Sequence, residues 1–203
     1  MSVSEQDRAR IATAIRAAEA KTSGEIVCVL ARTSTDATAL PVLLAALAAL
    51  ALPWLLVALT GMSVQRILAL QVAAFVLLAV VLCLPRVRVA LVPRAARRHL
   101  AHRAAMEQFA MRGIARKRER TGILIFVSLA ERYARIIADE GIAGRVAQSE
   151  WQNAVAALIA HMRDGRIADG FIAAIDACGN VLAAHFPRTE TSRDDLPDRI
   201  YLV

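Results

Sequence analysis

Between Asp36 and Arg86 the chain carries a single charged residue, Arg66, and from Asp36 no Asp or Glu recurs until Glu107. An uncharged stretch of this length has few physical solutions. Leu40 to Thr60 is nearly all Leu, Ala and Val, and Ile67 to Pro85 is again uncharged, with Gln71 as its one polar interruption. A bilayer core of about 30 Å needs about 20 apolar residues of helix, so each run is long enough to span it. Buried core helices of soluble domains normally keep one polar face, and neither run offers a charged residue on any face. The pattern predicts spans over about residues 39–60 and 67–85, joined by a loop from Gly61 to Arg66 that permits only a tight helical hairpin.

Charge on either side of this block sets the expected orientation. Residues 86–120 carry a net +9, while 1–36 are neutral and 121–203 sum to −3. The pI near 10.3 therefore belongs to one short stretch beside the apolar block. That stretch contains only Phe109 as an aromatic, which serves base stacking poorly, so nucleic acid is not an expected partner. Positive charge flanking a span marks the cytoplasmic side. Arg32 before the first span and Arg86, Arg88, Arg94, Arg97 and Arg98 after the second predict cytoplasmic N and C termini, with those five arginines on anionic lipid head groups. The polar, amphipathic residues before the first run are far too many for the charged lead of a secretory signal.

The remaining residues read as one interrupted α/β domain. Ser4-Glu5-Gln6-Asp7 has the form of a capping box, followed by Ile11, Ile15 and Ala18 on one helical face. Glu25 to Leu30 and Gly122 to Ser128 are short apolar runs expected as buried strands, and Tyr133 to Ala138 as an antiparallel partner after the turn at Leu129 to Arg132. Pro93 to about Arg118 is expected helical, with Leu100, Ala104 and Phe109 inward. Ser149-Glu150-Trp151-Gln152 is a second capping-box form, ahead of a face made by Trp151, Val155, Leu158, Ile159 and Met162. A last helix presents Ile167, Phe171, Ile175, Cys178, Leu182 and Phe186. Neither half buries its apolar faces alone, which predicts a single domain built from residues 1–36 and 86–187, with the hairpin (37–85) inserted and 188–203 as a tail.

Several of these segments resemble, in order and spacing, the TPM-domain family, which includes plant thylakoid-lumen phosphatase-like proteins and nematode acetylcholine-receptor auxiliary subunits. The matching pieces are Thr22-Ser23-Gly24-Glu25-Ile26, Arg120 to Ser128 with Glu131-Arg132, Ile136 to Ile142, Trp151, and His185-Phe186-Pro187. Leu196-Pro197-Asp198-Arg199 is similar to the ending of the family's bacterial membrane-bound branch. The resemblance implies a three-layer α/β/α sandwich around a small mixed sheet, in a bacterial inner-membrane protein. It also brings a metal-dependent phosphatase into consideration. Members tied to that activity have an uninterrupted acidic loop after the first strand and a Gly-rich turn after the third. Here the first loop runs through Asp36 into the apolar block, and the second reads Asp139-Glu140-Gly141.

No catalytic set can be assembled from the sequence, and no cofactor is expected. Asp139 and Glu140 are adjacent carboxylates at a strand end, the one place where a Ca²⁺ or Mg²⁺ ion could find oxygens, and most of the ligands such an ion needs are missing. Asp164 and Asp169 beside Gly165 are expected as helix caps. His99 and His102 lie one turn apart among arginines that repel cations; His161 and His185 are isolated. Ser128 follows a buried strand without a G-x-S-x-G elbow and is expected at the hairpin turn. Cys28, Cys83 and Cys178 are odd in number and scattered, so reduced thiols are expected. The expectation is an integral membrane protein whose cytoplasm-facing domain is an accessory or interaction module for other membrane proteins, contacting lipid. The alternatives are a metal-dependent phosphatase and an anionic-lipid-surface binding module.

Overall fold

The computed structural model describes residues 3–34, 39–84, 87, 90–114, 120–189 and 196–203. In chain order the elements are α1 (Glu5–Glu19), β1 (Glu25–Ala31), α2 (Ala39–Leu59), α3 (Val64–Cys83), α4 (Arg94–Met111), β2 (Gly122–Ser128), β3 (Tyr133–Ala138), α5 (Glu140–Ala143), α6 (Gln148–Arg163), α7 (Ile167–His185) and β4 (Ile200–Leu202). They form two compact units, one from residues 1–34 and 100–203 and the other from 35–99.

The first unit is mixed α/β, built on a four-stranded mixed sheet of order β3-β2-β1-β4. β1 and β2 run parallel in register from Glu25 against Gly122 to Ala31 against Ser128. Both are buried at every position, as expected of central strands that are apolar on two faces. β3 closes one side antiparallel, from Ile123 against Ala138 to Ser128 against Tyr133. Strand alternation then sorts the side chains into two cores. Ile26, Cys28, Leu30, Ile123, Ile125 and Val127 pack with α1, α6 and α7. Val27, Val29, Ala31, Leu124 and Phe126 pack with Ala105 and Phe109 of α4 and with Ile114. Two glycines permit the closest approaches: a Cβ on Gly122 would lie 2.3 Å from Ile114 Cγ2, and one on Gly179 2.8 Å from the Cβ of Ala18.

Four local expectations are corrected. The tail contains a strand, since β4 pairs parallel with β1 from Cys28 against Ile200 to Leu30 against Leu202. Three residues after Pro197-Asp198-Arg199 are too few to show a period in sequence. In α4 the inward residues are Ala101, Ala105 and Phe109, one position on from Leu100 and Ala104, because an alanine-rich helix can rotate without changing the hydrophobicity of its face. The same helix stops at Met111, before left-handed Gly113, rather than near Arg118, which lies outside the described residues. Helix α6 begins at Gln148 with Ala147 as N-cap and no side-chain cap, so Ser149 sits inside the first turn and makes no capping box. Ser4, by contrast, caps α1 as expected, its Oγ accepting from Asp7 N at 3.1 Å.

The second unit consists of α2 and α3 packed on each other, with the start of α4. Helix α3 starts at Val64, earlier than the expected 67, because extended Ser63 offers its carbonyl to Arg66 N and Ile67 N. It ends at Cys83, where Leu84 turns extended ahead of Pro85 as the proline ring requires. Ala45 and Ala49 are buried in α2, while Trp54 is 82% exposed and Leu77 in α3 is 66% exposed.

Candidate functional site

The apolar helices are the largest departure from a soluble fold. Three described helices are long and apolar enough to cross a membrane: α2, α3 and α7. Their surroundings differ. Only 11% of the apolar window of α2 and 6% of that of α3 is buried, against 50% for α7, whose Phe171, Ile175, Cys178 and Leu182 lie in the first core. Of the five arginines expected at lipid head groups, Arg86 and Arg88 lie outside the described residues. Arg94 and Arg98 are exposed on the first turns of α4, and Arg97 is half-buried with its Nε unpaired among the described residues. His99 beside them is exposed, and His102 is half-buried.

Asp139 and Glu140 end up doing different things. Asp139 is 4% exposed, donates its backbone N–H to Gly122 O at 3.0 Å, and caps α5 by accepting from Glu140 N on Oδ1 at 2.7 Å. Its Oδ2 is buried and has no hydrogen-bond partner among the described residues. Glu140 points into solvent and pairs with Arg120. The other carboxylates at this edge, Glu19 and Glu25, are buried, and Glu19 Oε1 accepts from Ile26 N at 2.7 Å. Among the described residues no three His, Cys, Asp or Glu side chains are grouped to hold a metal ion. One open buried oxygen with an ion-paired, exposed neighbour does not fit the six to eight oxygens of Ca²⁺ or the octahedron of Mg²⁺.

The opposite end of the sheet, at the carboxyl ends of β1 and β2, holds a feature the sequence did not single out. Glu131, buried in the turn after β2, accepts from Thr33 Oγ1 at 3.0 Å, from Ser34 N at 3.1 Å and from the Ser128 hydroxyl. A buried carboxylate is tolerated when its lone pairs are filled by donors in this way. Ser128 is therefore fully buried and committed to Glu131, at the end of β2 where the hairpin turn begins. It offers no exposed nucleophile.

The remaining candidates are structural. Asp164 pairs with Arg166 at 3.0 Å, and Asp169 pairs with Arg10 at 2.7 Å, a hydrogen bond that raises the guanidinium pKa. His161 Nδ1 lies 2.9 Å from Ala157 O. His185 Nε2 stands 3.9 Å from Glu150. All three cysteines are free. Burial pushes the Cys178 thiol up to about 12 and the Cys28 thiol well above its ordinary value, with Cys178 and Glu19 adding to the latter, so neither supplies a thiolate. Tyr201 of β4 stacks under Arg112 at 3.7 Å and Arg199 at 4.8 Å, which holds the last strand against α4.

These observations define a class: a mixed α/β domain joined to a pair of apolar helices of membrane-spanning length. Comparison with known proteins bears on the domain. A family model for the TPM domain matches residues 85–181, the family that the chain's strand and turn motifs resemble. Among solved structures, the NMR structure of BA42 protein from the psychrophilic bacterium Bizionia argentinensis is similar over 100% of this chain and 97% of that one. Its TM-score is 0.63 at 19% identity, a likeness of fold. No protein of curated function matches the chain.

Proposed function

We propose that this is an integral membrane protein in which α2 and α3 cross a bacterial inner membrane as a hairpin. Both termini and the TPM domain lie on the cytoplasmic side, where the domain is an accessory or interaction module for other membrane proteins. The observation that carries this reading is the contrast in burial among the three apolar helices: α2 and α3 have no core to fill, and α7 does. In water, large residues such as Leu47, Leu50, Val57, Val72 and Leu77 would all face solvent, far beyond the apolar patch a soluble monomer exposes. In a bilayer that cost becomes a gain. Arg94, Arg97 and Arg98 then stand at the level of anionic head groups, each contributing about 1 kcal/mol of attraction near a charged leaflet.

Labelling tests this directly. In a Cys83→Ser background, Ser63→Cys should react with an impermeant thiol reagent in intact cells, and Lys21→Cys only after the membrane is opened. The reverse pattern would place the TPM domain outside. Release of the protein by alkaline carbonate would remove the spans altogether.

A further inference from the structure

Pro53 stands inside α2, where it has no N–H to give and its ring presses on the carbonyl four residues back. That carbonyl belongs to Ala49, which is 4% exposed on the side of α2 packed against α3, and Pro53 is half-buried one turn further on. Helix α2 has no remedy of its own. It contains no Ser or Thr, and its one side chain with a donor, Trp54, is 82% exposed. In hydrocarbon a neighbouring helix is the usual source of a donor that a proline removes.

Gln71 is the one polar side chain in the run from Ile67 to Pro85. With Ile67, Ala74 and Leu78, at spacings of four, three and four residues, it lies on the stripe of α3 that α2 covers. Ile67 is buried and the other three are half-buried, while Val72, Val76 and Val80 around the rest of the helix are exposed. Depth matches as well. Pro53 comes six residues before the end of α2 at Leu59, and Gln71 seven after the start of α3 at Val64. At about 1.5 Å per residue the two stand about 9 and about 10.5 Å from the turn, and the Ala49 carbonyl points along α2 toward that level. Packed helices lie about 8–10 Å apart with backbone radii of about 2.3 Å, which leaves about 3–5 Å for a glutamine side chain to cross. Among the described residues Gln71 makes no hydrogen bond, so its amide is uncommitted.

We propose that in the bilayer the Gln71 side-chain amide donates to the Ala49 carbonyl, standing in for the N–H that Pro53 lacks. Proline and glutamine then act as one clasp that fixes the register of the two spans. An amide is suited to this, since its NH₂ group donates without a charge to bury. The inference rests on the reading that α2 and α3 lie in the membrane.

Steric trapping of the full chain in lipid bicelles tests the clasp. In a Cys83→Ser background, Leu40→Cys and Leu84→Cys carry biotin, and a second streptavidin binds only when the ends of the spans part. Gln71→Leu should raise the parted fraction about 3- to 20-fold, the range of measured interhelical hydrogen bonds in membranes. In a Pro53→Ala background, where position 53 again has an N–H for the Ala49 carbonyl, the same change should have little effect. Restraint from the rest of the chain is common to all four variants and cancels in this cycle. Equal losses in both backgrounds, or no loss in either, overturn the clasp. So does a Gln71 side-chain amide resonance, assigned by its disappearance in Gln71→Leu, that stays in place when Pro53→Ala is introduced. Carbonate extraction from vesicles separates the two levels: release overturns the membrane reading and the clasp with it, whereas retained protein with equal losses overturns the clasp alone.

Discussion

Helix α7 and the pair α2 and α3 pass the same test of length and hydropathy, yet they solve opposite problems. Helix α7 turns Phe171, Ile175, Cys178 and Leu182 onto a sheet and leaves Asp169 and Asp176 on its outer side. Among the described residues, helices α2 and α3 pack chiefly on each other, and the rest of their surface is largely Leu, Val and Ala facing outward. Mean apolarity is lower in α7 than in α2 and α3, because α7 keeps charged residues on a side for water and α2 has none.

The largest effect should come from cutting the same kind of atom out of each environment. Phe171→Ala removes a fully buried ring and should cost the α/β domain about 3–5 kcal/mol, whereas Leu77→Ala should leave its unfolding midpoint within error. Urea titration in detergent, read by the buried Trp151 in a Trp54→Phe background, measures both. Equal losses would mean that α3 is part of the domain core. A smaller effect is expected at Gly179, where the added methyl of Gly179→Ala would press on Ala18 and cost about 1–3 kcal/mol by the same titration. Gly61 meets nothing within 4 Å, so Gly61→Ala should be silent. The smallest concerns Asp7, whose pKa is lowered from 3.8, first by the Ser4 hydroxyl. A carboxyl lowered in the folded state adds stability that is present above its unfolded pKa and lost as pH falls through the folded one. Asp7→Asn should therefore lower the stability of the α/β domain slightly at pH 7, make no difference once the pH is below the folded pKa, and so flatten the profile below about pH 4.

Sequence reading was strongest where one residue's environment is decided by its immediate neighbours. The buried strands β1 and β2, the β2–β3 hairpin and the inward face of α7 all follow from short-range apolar patterns, and each stands where it was expected. It was weakest where a residue's role depends on distant chain. Glu131 stood in the sequence only as part of a family-like motif with no role assigned, because the groups that justify its burial, Thr33 and Ser34, come nearly a hundred positions earlier. β4 escaped for the same reason: Ile200 to Leu202 become a strand only because β1 offers an open edge. The Asp139-Glu140 pair misled in the other direction. Adjacent carboxylates suggested a shared ligand, but the helix start at Glu140 uses Asp139 as a cap and sends the Glu140 side chain outward to Arg120.

The place of β1 in the sheet bears on the order in which the chain is made. Its two neighbours, β2 and β4, both come from beyond α2 and α3, and β4 follows every other element. A strand whose partners are so remote contributes to a slow, late-closing fold, because the loop between them must be ordered before any pairing is rewarded. During synthesis, then, α2 and α3 leave the ribosome while β1 still has two bare edges. A nascent chain that stalls after α3 would present Ile26 to Leu30 as an unpaired apolar strand, the segment of this protein most in need of a chaperone.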